Sequence, residues 1–554
     1  MRAPLLVIGL DGATLDLVAP WAAAGKLPVL EGLMRRGACG RLRSTTPPAT
    51  FPAWTSLTTG VNPGRHGVLD FTERVPGTYR VRFVNGSHRQ VPALWTRLAA
   101  RGARTAVVTV PGTYPPEPSC GVMVSGWDSP LTTAVDGSFV HPRSFYDEMR
   151  RVVGRLPFAD FQEMTTGPGW HERALANLLG GIDRRTRLVR HLLGRERWDL
   201  LMVVFGESDT VAHHFWRFCD RASPRFAPSP FADAIERVYR ALDAALGEIL
   251  AAAPPDATVA IVSDHGTGGA SDRVAHLNRR LAACELLGFE RAPSRIGPWL
   301  RRAAVGAVPA SLQGAVLRRL PVAAGRVESM ARFGGVAWNR TRAFSDELDY
   351  HPSVWLNVRG REPEGTVAPD DYERVRDDVL GALTSWRYDD GGPVVARAWR
   401  REEVLSGPYV ERAPDVLLEF ALVDGYSPSC LRSGGAGSAI RTLDRREHGA
   451  GKGAGMNGAH RPDGLFVLAG DGVRAGDMAP CHVTDVVPTL LAAAGVPIPR
   501  GLDGAVQAGA LERAPLYEDD ALPPPAGERV PYDAAASREV ADRLAALGYV
   551  EAAR

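Results

Sequence analysis

Cysteine, long apolar runs and an excess of either charge are all scarce in this sequence. The six cysteines among its 554 residues form no C-x-x-C pair, so neither a disulfide framework nor a thiolate metal site is indicated. No segment approaches the roughly 18 apolar residues that span a membrane. The apolar run at the N-terminus ends at Asp11, which makes it too short for a signal peptide. We therefore expect a cytoplasmic protein.

The balance of charge excludes a second group of functions. Lys and Arg together number 65 and Asp and Glu 63, which leaves a formal net charge of +2. Proteins that bind nucleic acid or a membrane surface through electrostatic attraction usually carry a clear excess of basic residues. The expected partner is therefore a small molecule, and the composition indicates no particular oligomeric state.

Short apolar runs that are rich in β-branched residues predict buried strands. Helical patterns separate many of them, at residues 172–193 and 231–252 for example. This alternation predicts an α/β fold in which helices flank a mostly parallel central sheet. The predicted strands are residues 5–10, 105–110, 200–205, 258–263, 416–420 and 465–469.

Changes in composition predict four parts of the chain, since 554 residues are too many for one simple core. Residues 1–280 are the first part of the α/β core, and residues 281–410 are a partly helical insertion that forms a cap. Residues 411–510 are the second part of the core, and residues 511–554 are a C-terminal linker and helix. Within the second part, the Gly-rich residues 430–459 predict a mobile loop.

Carboxylates follow three of the predicted strands. Asp11 follows the first strand, Asp209 comes soon after residues 200–205, and Asp264 follows the strand at 258–263. An aspartate after a strand is often only a turn former. Ligands of open α/β sheets, however, bind beyond the carboxyl ends of the strands. Three carboxylates at such ends therefore predict a site at one edge of the sheet.

Histidines accompany these carboxylates. His213 is four residues after Asp209, so a helix that begins near Asp209 places both on one face. His265 is adjacent to Asp264, and His460 precedes the strand at 465–469. Mixed nitrogen and oxygen ligands without sulfur suit zinc, manganese or iron. Six such ligands are enough for two ions, which clamp the attacking and leaving oxygens of a phosphoryl displacement when they lie about 4 Å apart.

A hydroxyl group, that of Thr50, completes the set. Pro52 suits the first turn of a helix and Gly60 would end it, so Thr50 is predicted at a helix N-terminus. Backbone N–H groups and the helix dipole attract an anion there. Thr50 is either a capping residue or a nucleophile whose alkoxide a metal favours. The six candidate ligands favour the nucleophile.

In their order along the chain these motifs resemble the alkaline phosphatase superfamily, and most closely its type I phosphodiesterase/nucleotide pyrophosphatase family. The resemblance runs from residue 9 to about residue 504. It is carried by Gly9-Leu10-Asp11-Gly12, Thr50-Phe51-Pro52, Asp209-Thr210-Val211-Ala212-His213, Ser263-Asp264-His265-Gly266 and Gly458-Ala459-His460.

The resemblance implies an alkaline phosphatase-like core with two divalent metal ions, usually zinc, with manganese as the alternative. By position, one ion would be held by Asp209, His213 and His460. The other would be held by Asp11, Asp264, His265 and the oxygen of Thr50. The resemblance also implies that Thr50 attacks phosphorus and forms a covalent phosphothreonine, which water then hydrolyses.

The predicted function is a metal-dependent phosphoester hydrolase that acts on diesters. The alternatives are a phosphotransferase or mutase, a phosphomonoester or phosphonate hydrolase on the same metal core, and a non-catalytic binding protein. Sulfatases of the superfamily carry a modified Cys or Ser in a C/S-x-P-x-R motif, which the sequence around Thr50 does not match.

One position departs from the family pattern. Nucleotide pyrophosphatases carry an Asn three residues after the nucleophile, where it contacts a phosphate oxygen. This chain has Ala53 there, so we expect another hydrogen-bond donor or a different substrate. The adjacent Trp54 either binds the substrate by stacking or packs in the core.

Overall fold

The computed structural model describes residues 1, 3–126, 137–154, 169–290, 333, 335–347, 351, 353–449, 456–519, 530–533, 536–537 and 539–541. Much of the predicted insertion, part of the Gly-rich loop and most of the predicted C-terminal linker and helix lie outside these residues.

The strands of the described residues alternate with helices over the first half of the chain. In chain order the strands are β1 (Leu5–Leu10), β2 (Ala38–Arg43), β3 (Thr72–Arg74), β4 (Val81–Phe83), β5 (Thr105–Val108), β6 (Val122–Val124), β7 (Val140–His141), β8 (Leu200–Phe205), β9 (Thr258–Val262), β10 (Gly266–Ala275), β11 (Ala343–Ser345), β12 (Val354–Leu356), β13 (Val395–Arg400), β14 (Val416–Phe420), β15 (Ser427–Cys430), β16 (Ile440–Thr442), β17 (Gly458–Arg461), β18 (Asp463–Ala469), β19 (Gly476–Asp477), β20 (Cys481–His482), β21 (Ile498–Pro499) and β22 (Tyr517–Glu518).

The α-helices of the described residues are α1 (Leu15–Ala23), α2 (Pro28–Arg36), α3 (Thr50–Thr59), α4 (Pro63–His66), α5 (Leu94–Ala99), α6 (Phe145–Val153), α7 (Trp170–Arg195), α8 (Glu207–Cys219), α9 (Ala234–Ala252), α10 (Leu277–Ala283), α11 (Tyr372–Thr384), α12 (Arg401–Val404) and α13 (Val486–Ala493). No helix of the described ranges is long and apolar enough to cross a membrane.

A central sheet organises the chain, and β1 lies in its middle. The strand order is β19-β2-β18-β9-β1-β8-β5-β6-β7, with β20 beside β2. β1 pairs in parallel with β8 and β9, while β18 pairs antiparallel with β2 and β9. β1, β8 and β9 are buried along their whole length, as strands covered on both faces must be.

Helices cover both faces of this sheet, and alternate side chains of β1 point into two different cores. Leu6 and Ile8 pack with apolar residues of α1, α2, α7, α8 and α9. Leu5 and Val7 pack with apolar residues of α3, α5 and α13. The predicted α/β fold with a mostly parallel central sheet is therefore confirmed.

A smaller antiparallel sheet, in the order β11-β12-β14-β13, lies outside the central sheet. It has its own apolar core, which includes Phe344, Leu356 and Leu418 together with α11. The prediction that residues 416–420 belong to the central sheet is wrong, because an apolar run does not distinguish a parallel strand from one in a packed antiparallel sheet. The predicted domain boundaries stay predictions.

A third sheet extends from the carboxyl end of β9. β10 follows Asp264 and His265 directly, and β17 pairs antiparallel with the beginning of β10. In this register His460 lies opposite Thr267. This pairing brings His460, which is distant in the chain, beside the end of β9.

Candidate metal centre and nucleophile

Three neighbouring strands deliver the predicted carboxylates to one edge of the central sheet. Asp11 follows β1 directly, one residue separates β8 from α8, and one residue separates β9 from Asp264. α8 carries Asp209 and His213 one turn apart, on the same face. Glu207, the other carboxylate after β8, is engaged by Arg185 at 2.6 Å.

The first group of candidate metal ligands is Asp209, His213 and His460. One atom from each lies within 4.8 Å of the other two, and all three residues are buried. His213 Nε2 is 3.1 Å from Asp209 Oδ1, and His460 Nε2 is 3.4 Å from the same oxygen. The two Nε2 atoms are 3.1 Å apart. Three donor atoms therefore surround one point.

The second group is Asp11, Asp264 and His265, which are also buried and meet the same distance criterion. Asp11 Oδ1 and Asp264 Oδ2 each lie 3.4 Å from His265 Nε2. The ring of His265 stacks on that of His460 with 3.6 Å between centroids. The two groups are therefore immediate neighbours, as the sequence predicts.

All three histidine rings donate their Nδ1–H to a backbone carbonyl. His213 donates to Gly458, His265 to Gly266 and His460 to Pro48, each at 2.9 Å. A neutral ring that donates from Nδ1 carries its lone pair on Nε2, so all three lone pairs face the two groups. Metal-ligating histidines typically make this second hydrogen bond, because it fixes the tautomer and the ring orientation.

A glycine permits one of these contacts. A Cβ at Gly458 would lie 2.5 Å from the carbonyl oxygen of Ala212 in α8. Without a side chain, β17 approaches α8 closely enough for the Gly458 carbonyl to reach the His213 ring.

Burial shifts the pKa of these ligands. Burial, and then the charge of Asp209, raise the pKa of Asp11 well above its usual range. Burial and the charges of Asp11 and Asp209 do the same to Asp264. Burial lowers the pKa of His265 and His460, which keeps these rings neutral.

The two groups fit divalent metal ions. No hydrogen-bond donor of the described residues reaches Asp11 Oδ1 or Asp264 Oδ2, although a buried carboxylate is costly unless it is paired. The Nε2 lone pairs of His213 and His460, 3.1 Å apart, also repel one another unless a cation lies near. Bound cations would satisfy all of these atoms.

Thr50 is the first residue of α3 and is completely buried. Its hydroxyl donates to His265 Nε2 at 3.3 Å. The N-cap position belongs to Ala49, and no side chain caps this helix. The hydroxyl of Thr50 therefore faces the second group of ligands and does not act as a cap.

Trp54 lies one turn further along α3 and is 0% exposed. Its indole N–H donates to Asp11 Oδ2 at 2.9 Å, and its ring packs on β1 at Gly9. This position matches the packing interpretation of Trp54, and the prediction that Trp54 binds substrate stays a prediction. The i, i+4 spacing from Thr50 is the one sequence signal for its place at the site.

His351 is a residue that the sequence analysis missed. It donates from Nε2 to the Pro48 carbonyl at 3.2 Å, and its ring centroid is 5.9 Å from that of His460. The same carbonyl therefore accepts hydrogen bonds from two imidazoles. His351 comes from the predicted insertion, where no spacing relates it to the other residues.

A groove opens beside His460. We call it the His460 groove, and it encloses about 1050 Å³, part of which is open to solvent. Residues 43–48 before α3 form one wall, β14 and β15 form another, and residues 456–462 complete it. It therefore lies between the segment that leads into α3 and the smaller sheets.

A protein-family model described as type I phosphodiesterase / nucleotide pyrophosphatase matches residues 5–428. No curated protein sequence matches the chain.

Solved structures share the fold. A phosphonoacetate hydrolase from Sinorhizobium meliloti 1021, in complex with phosphonoformate, aligns with a TM-score of 0.52 at 15% identity, over 88% of this chain and 94% of its own. Human ectonucleotide pyrophosphatase / phosphodiesterase 5 aligns with a TM-score of 0.48 at 13% identity, over 91% of this chain and 97% of its own. Similarity at this level of identity shows the fold alone.

Proposed function

Because this chain belongs to the type I phosphodiesterase / nucleotide pyrophosphatase family of the alkaline phosphatase superfamily, and is thus a phosphoester hydrolase, we propose that it is a metal-dependent phosphodiesterase with Thr50 as nucleophile. The observation that carries this proposal is the position of the Thr50 hydroxyl. Thr50 begins a helix, and its hydroxyl lies 3.3 Å from His265 Nε2, beside two groups of candidate ligands.

We assign the ligands by their grouping in space. Asp209, His213 and His460 would hold one divalent ion, and Asp11, Asp264, His265 and the Thr50 oxygen would hold the other. Zinc suits this set of nitrogen and oxygen donors, and manganese is the alternative. When bound, the two ions supply positive charge that lowers the pKa of the nucleophilic hydroxyl and offsets the charge of the phosphoryl oxygens.

The residues of the chain then position the reaction. Thr50 Oγ1 loses its proton to solvent and attacks phosphorus, so that a Thr50–phosphate bond forms while the bond from phosphorus to the leaving oxygen breaks. The leaving oxygen takes up a proton from solvent and departs as an alcohol. The N-terminal end of the α3 dipole favours negative charge at this position. Burial of Thr50 keeps bulk water from competing with its hydroxyl. Water then cleaves the phosphothreonine and releases a phosphomonoester.

A second candidate is a phosphomonoester or phosphonate hydrolase, or a phosphotransferase, on the same residues. The observation that favours it is Ala53, which has no donor for a phosphate oxygen and is 0% exposed. A panel of diesters, monoesters and phosphonates, tested with zinc and with manganese, ranks these activities. Isotopically labelled water distinguishes hydrolysis, which places solvent oxygen in the released phosphate, from transfer, which does not.

The test of the nucleophile is hydrolysis of bis(p-nitrophenyl) phosphate by zinc-loaded protein. Thr50→Ala should lower kcat by a factor of about a thousand or more, and chelation should abolish turnover. Thr59→Ala is the matched control, because Thr59 is equally buried in α3 and donates only to Thr55. Full activity of a zinc-loaded Thr50→Ala variant would refute the proposal.

A further inference from the structure

We propose that the His460 groove binds the leaving group of the substrate, and that this group is an apolar alcohol. The inference rests on the proposed function. It is argued from the position of Thr50, from the side of the centre that the groove reaches, and from the groove's lining.

The position of Thr50 sets the direction of the reaction. Thr50 contacts His265, a member of the Asp11, Asp264 and His265 group. In an in-line displacement the attacking and leaving oxygens lie on opposite sides of phosphorus. The leaving oxygen therefore points away from Thr50, toward the group of Asp209, His213 and His460.

The groove reaches this second side. His460 lines it, as do Gly458, whose carbonyl accepts from His213, and Pro48, whose carbonyl accepts from His460. Neither Thr50 nor any member of the Asp11 group lines it. The side chains of Asp11, Asp209 and His213 are at most 2% exposed. A leaving group of more than a few atoms therefore continues past His460 into the groove.

The lining of the groove is mainly apolar. Leu422, which is 53% exposed, is one of the large apolar side chains of this lining. The apolar lining also includes Pro47, Pro48, Leu418, Phe420 and Met456, which come from three separate segments.

The charged groups of the groove do not favour an anionic leaving group. Arg43 lies 3.4 Å from Asp463, Arg461 donates to the Gly425 carbonyl at 2.6 Å, and Glu419 adds a negative charge. The two arginines already have partners in the structure and Glu419 repels an anion, whereas a polyphosphate needs several cations that are placed to pair with it. An alkyl or aryl alcohol instead matches the apolar walls.

The experiment uses methyl phosphodiesters of phenols that are matched in pKa but carry alkyl chains of increasing length. With zinc-loaded protein, kcat/KM should rise about threefold to fourfold for each methylene that the groove buries. Leu422→Ser should reduce this gain. Leu516→Ser is the control, because Leu516 is also 53% exposed and is not among the residues that line the groove.

A second variant fills the groove without touching the centre. Ser427 lies in its wall, and Ser427→Phe should lower kcat/KM for the longest chain more than tenfold. The same variant should leave the unsubstituted phenol within about twofold.

The outcomes separate this inference from the proposed function. A kcat/KM that does not change with chain length, an equal gain in Leu422→Ser and Leu516→Ser, or faster turnover when the leaving group is pyrophosphate would each overturn the inference and leave the hydrolase intact. Absence of turnover for every diester by metal-loaded protein would overturn both.

Discussion

At the scale of single residues, Trp54 links the helix of Thr50 to the candidate metal ligand Asp11. Its indole N–H donates to Oδ2 of Asp11, while Oδ1 of the same carboxylate lies near His265. The hydrogen bond therefore orients a candidate ligand from the same helix that carries Thr50.

We expect Trp54→Phe to weaken one of the two metal sites. The phenyl ring keeps part of the packing on Gly9 but leaves Asp11 Oδ2 without its donor, and loss of such a supporting bond typically costs tenfold to about a hundredfold in metal affinity. Competition with a chelator measures the affinity of each site. The control is Trp95→Phe, which removes an indole bond of the same 2.9 Å length to Glu117, away from the site. Equal affinities in the two variants would contradict this role.

Asp264 should limit the stability of the metal-free protein. Burial and the charges of Asp11 and Asp209 raise its pKa, so its stabilising contribution is present below the unfolded pKa of about 4 and is lost as pH rises through the folded value. The side chain of Asn does not ionise, so Asp264→Asn avoids this loss. The loss is about 1.4 kcal/mol of unfolding free energy for each unit by which folding raises the pKa.

The measurement is the melting temperature in chelator and in zinc at pH 7. Without metal the Asp264→Asn variant should melt above the wild type. With zinc the order should reverse, because the variant has lost a ligand. A variant that melts lower in both conditions would show that Asp264 is not under electrostatic strain.

At the scale of elements, close contact between α3 and β1 determines the position of Thr50. A Cβ at Gly9 would lie 2.4 Å from Trp54 Cη2 and 2.8 Å from Val204 Cγ2. β1 therefore carries glycine where the indole of α3 crosses it.

Gly9→Ala should displace α3 and lower both stability and kcat. Overpacking of this kind costs about 1–3 kcal/mol. In the double variant with Trp54→Phe the outer ring atoms are gone, so the two effects on the free energy of unfolding should be less than additive. Urea unfolding of the four proteins measures the coupling. Gly194→Ala, with no atom within 4 Å of its Cβ, is the control, and strict additivity would contradict the contact.

The same elements show which features of the fold and the candidate site the sequence predicts. Asp11, Asp209 and Asp264 were predictable together, because parallel strands bring their carboxyl ends to one edge. The helix at Thr50 was predictable from Pro52 and Gly60. The indole contact of Trp54 was not, since it depends on how α3 packs against β1. β14 was placed in the wrong sheet, because its apolar pattern does not state its partner.

At the scale of the whole molecule, Glu347 connects the smaller antiparallel sheet to α10 and to the segment after β15 of the third sheet. It follows β11, and its carboxylate accepts from the backbone of Asn278 in α10 at 2.9 Å. It also accepts from the backbone and hydroxyl of Ser433, at 2.6 Å and 2.8 Å. Burial raises the pKa of Glu347 to about 7, so these parts of the chain meet at a group that titrates near neutrality.

We expect this junction to weaken as pH rises. Because the folded pKa is above the unfolded value of about 4.5, the contribution of Glu347 is fully present at pH 4.5 and is lost as pH approaches 7. Above pH 7 the loss amounts to about 3 kcal/mol. Melting temperatures between pH 5 and 8 should fall less steeply for Glu347→Gln than for the wild type. Parallel curves would refute the assignment.

The carbonyls of Pro48, Gly266 and Gly458, which accept the three imidazole N–H bonds, belong to the main chain. A main-chain acceptor is retained through any side-chain replacement that preserves the backbone path. Side-chain substitution that preserves the backbone path therefore leaves the ring orientations unchanged, whereas the groove beside them is lined by side chains that a substitution alters directly. Substitutions in the groove can therefore change substrate preference without changing the orientation of the three histidine rings.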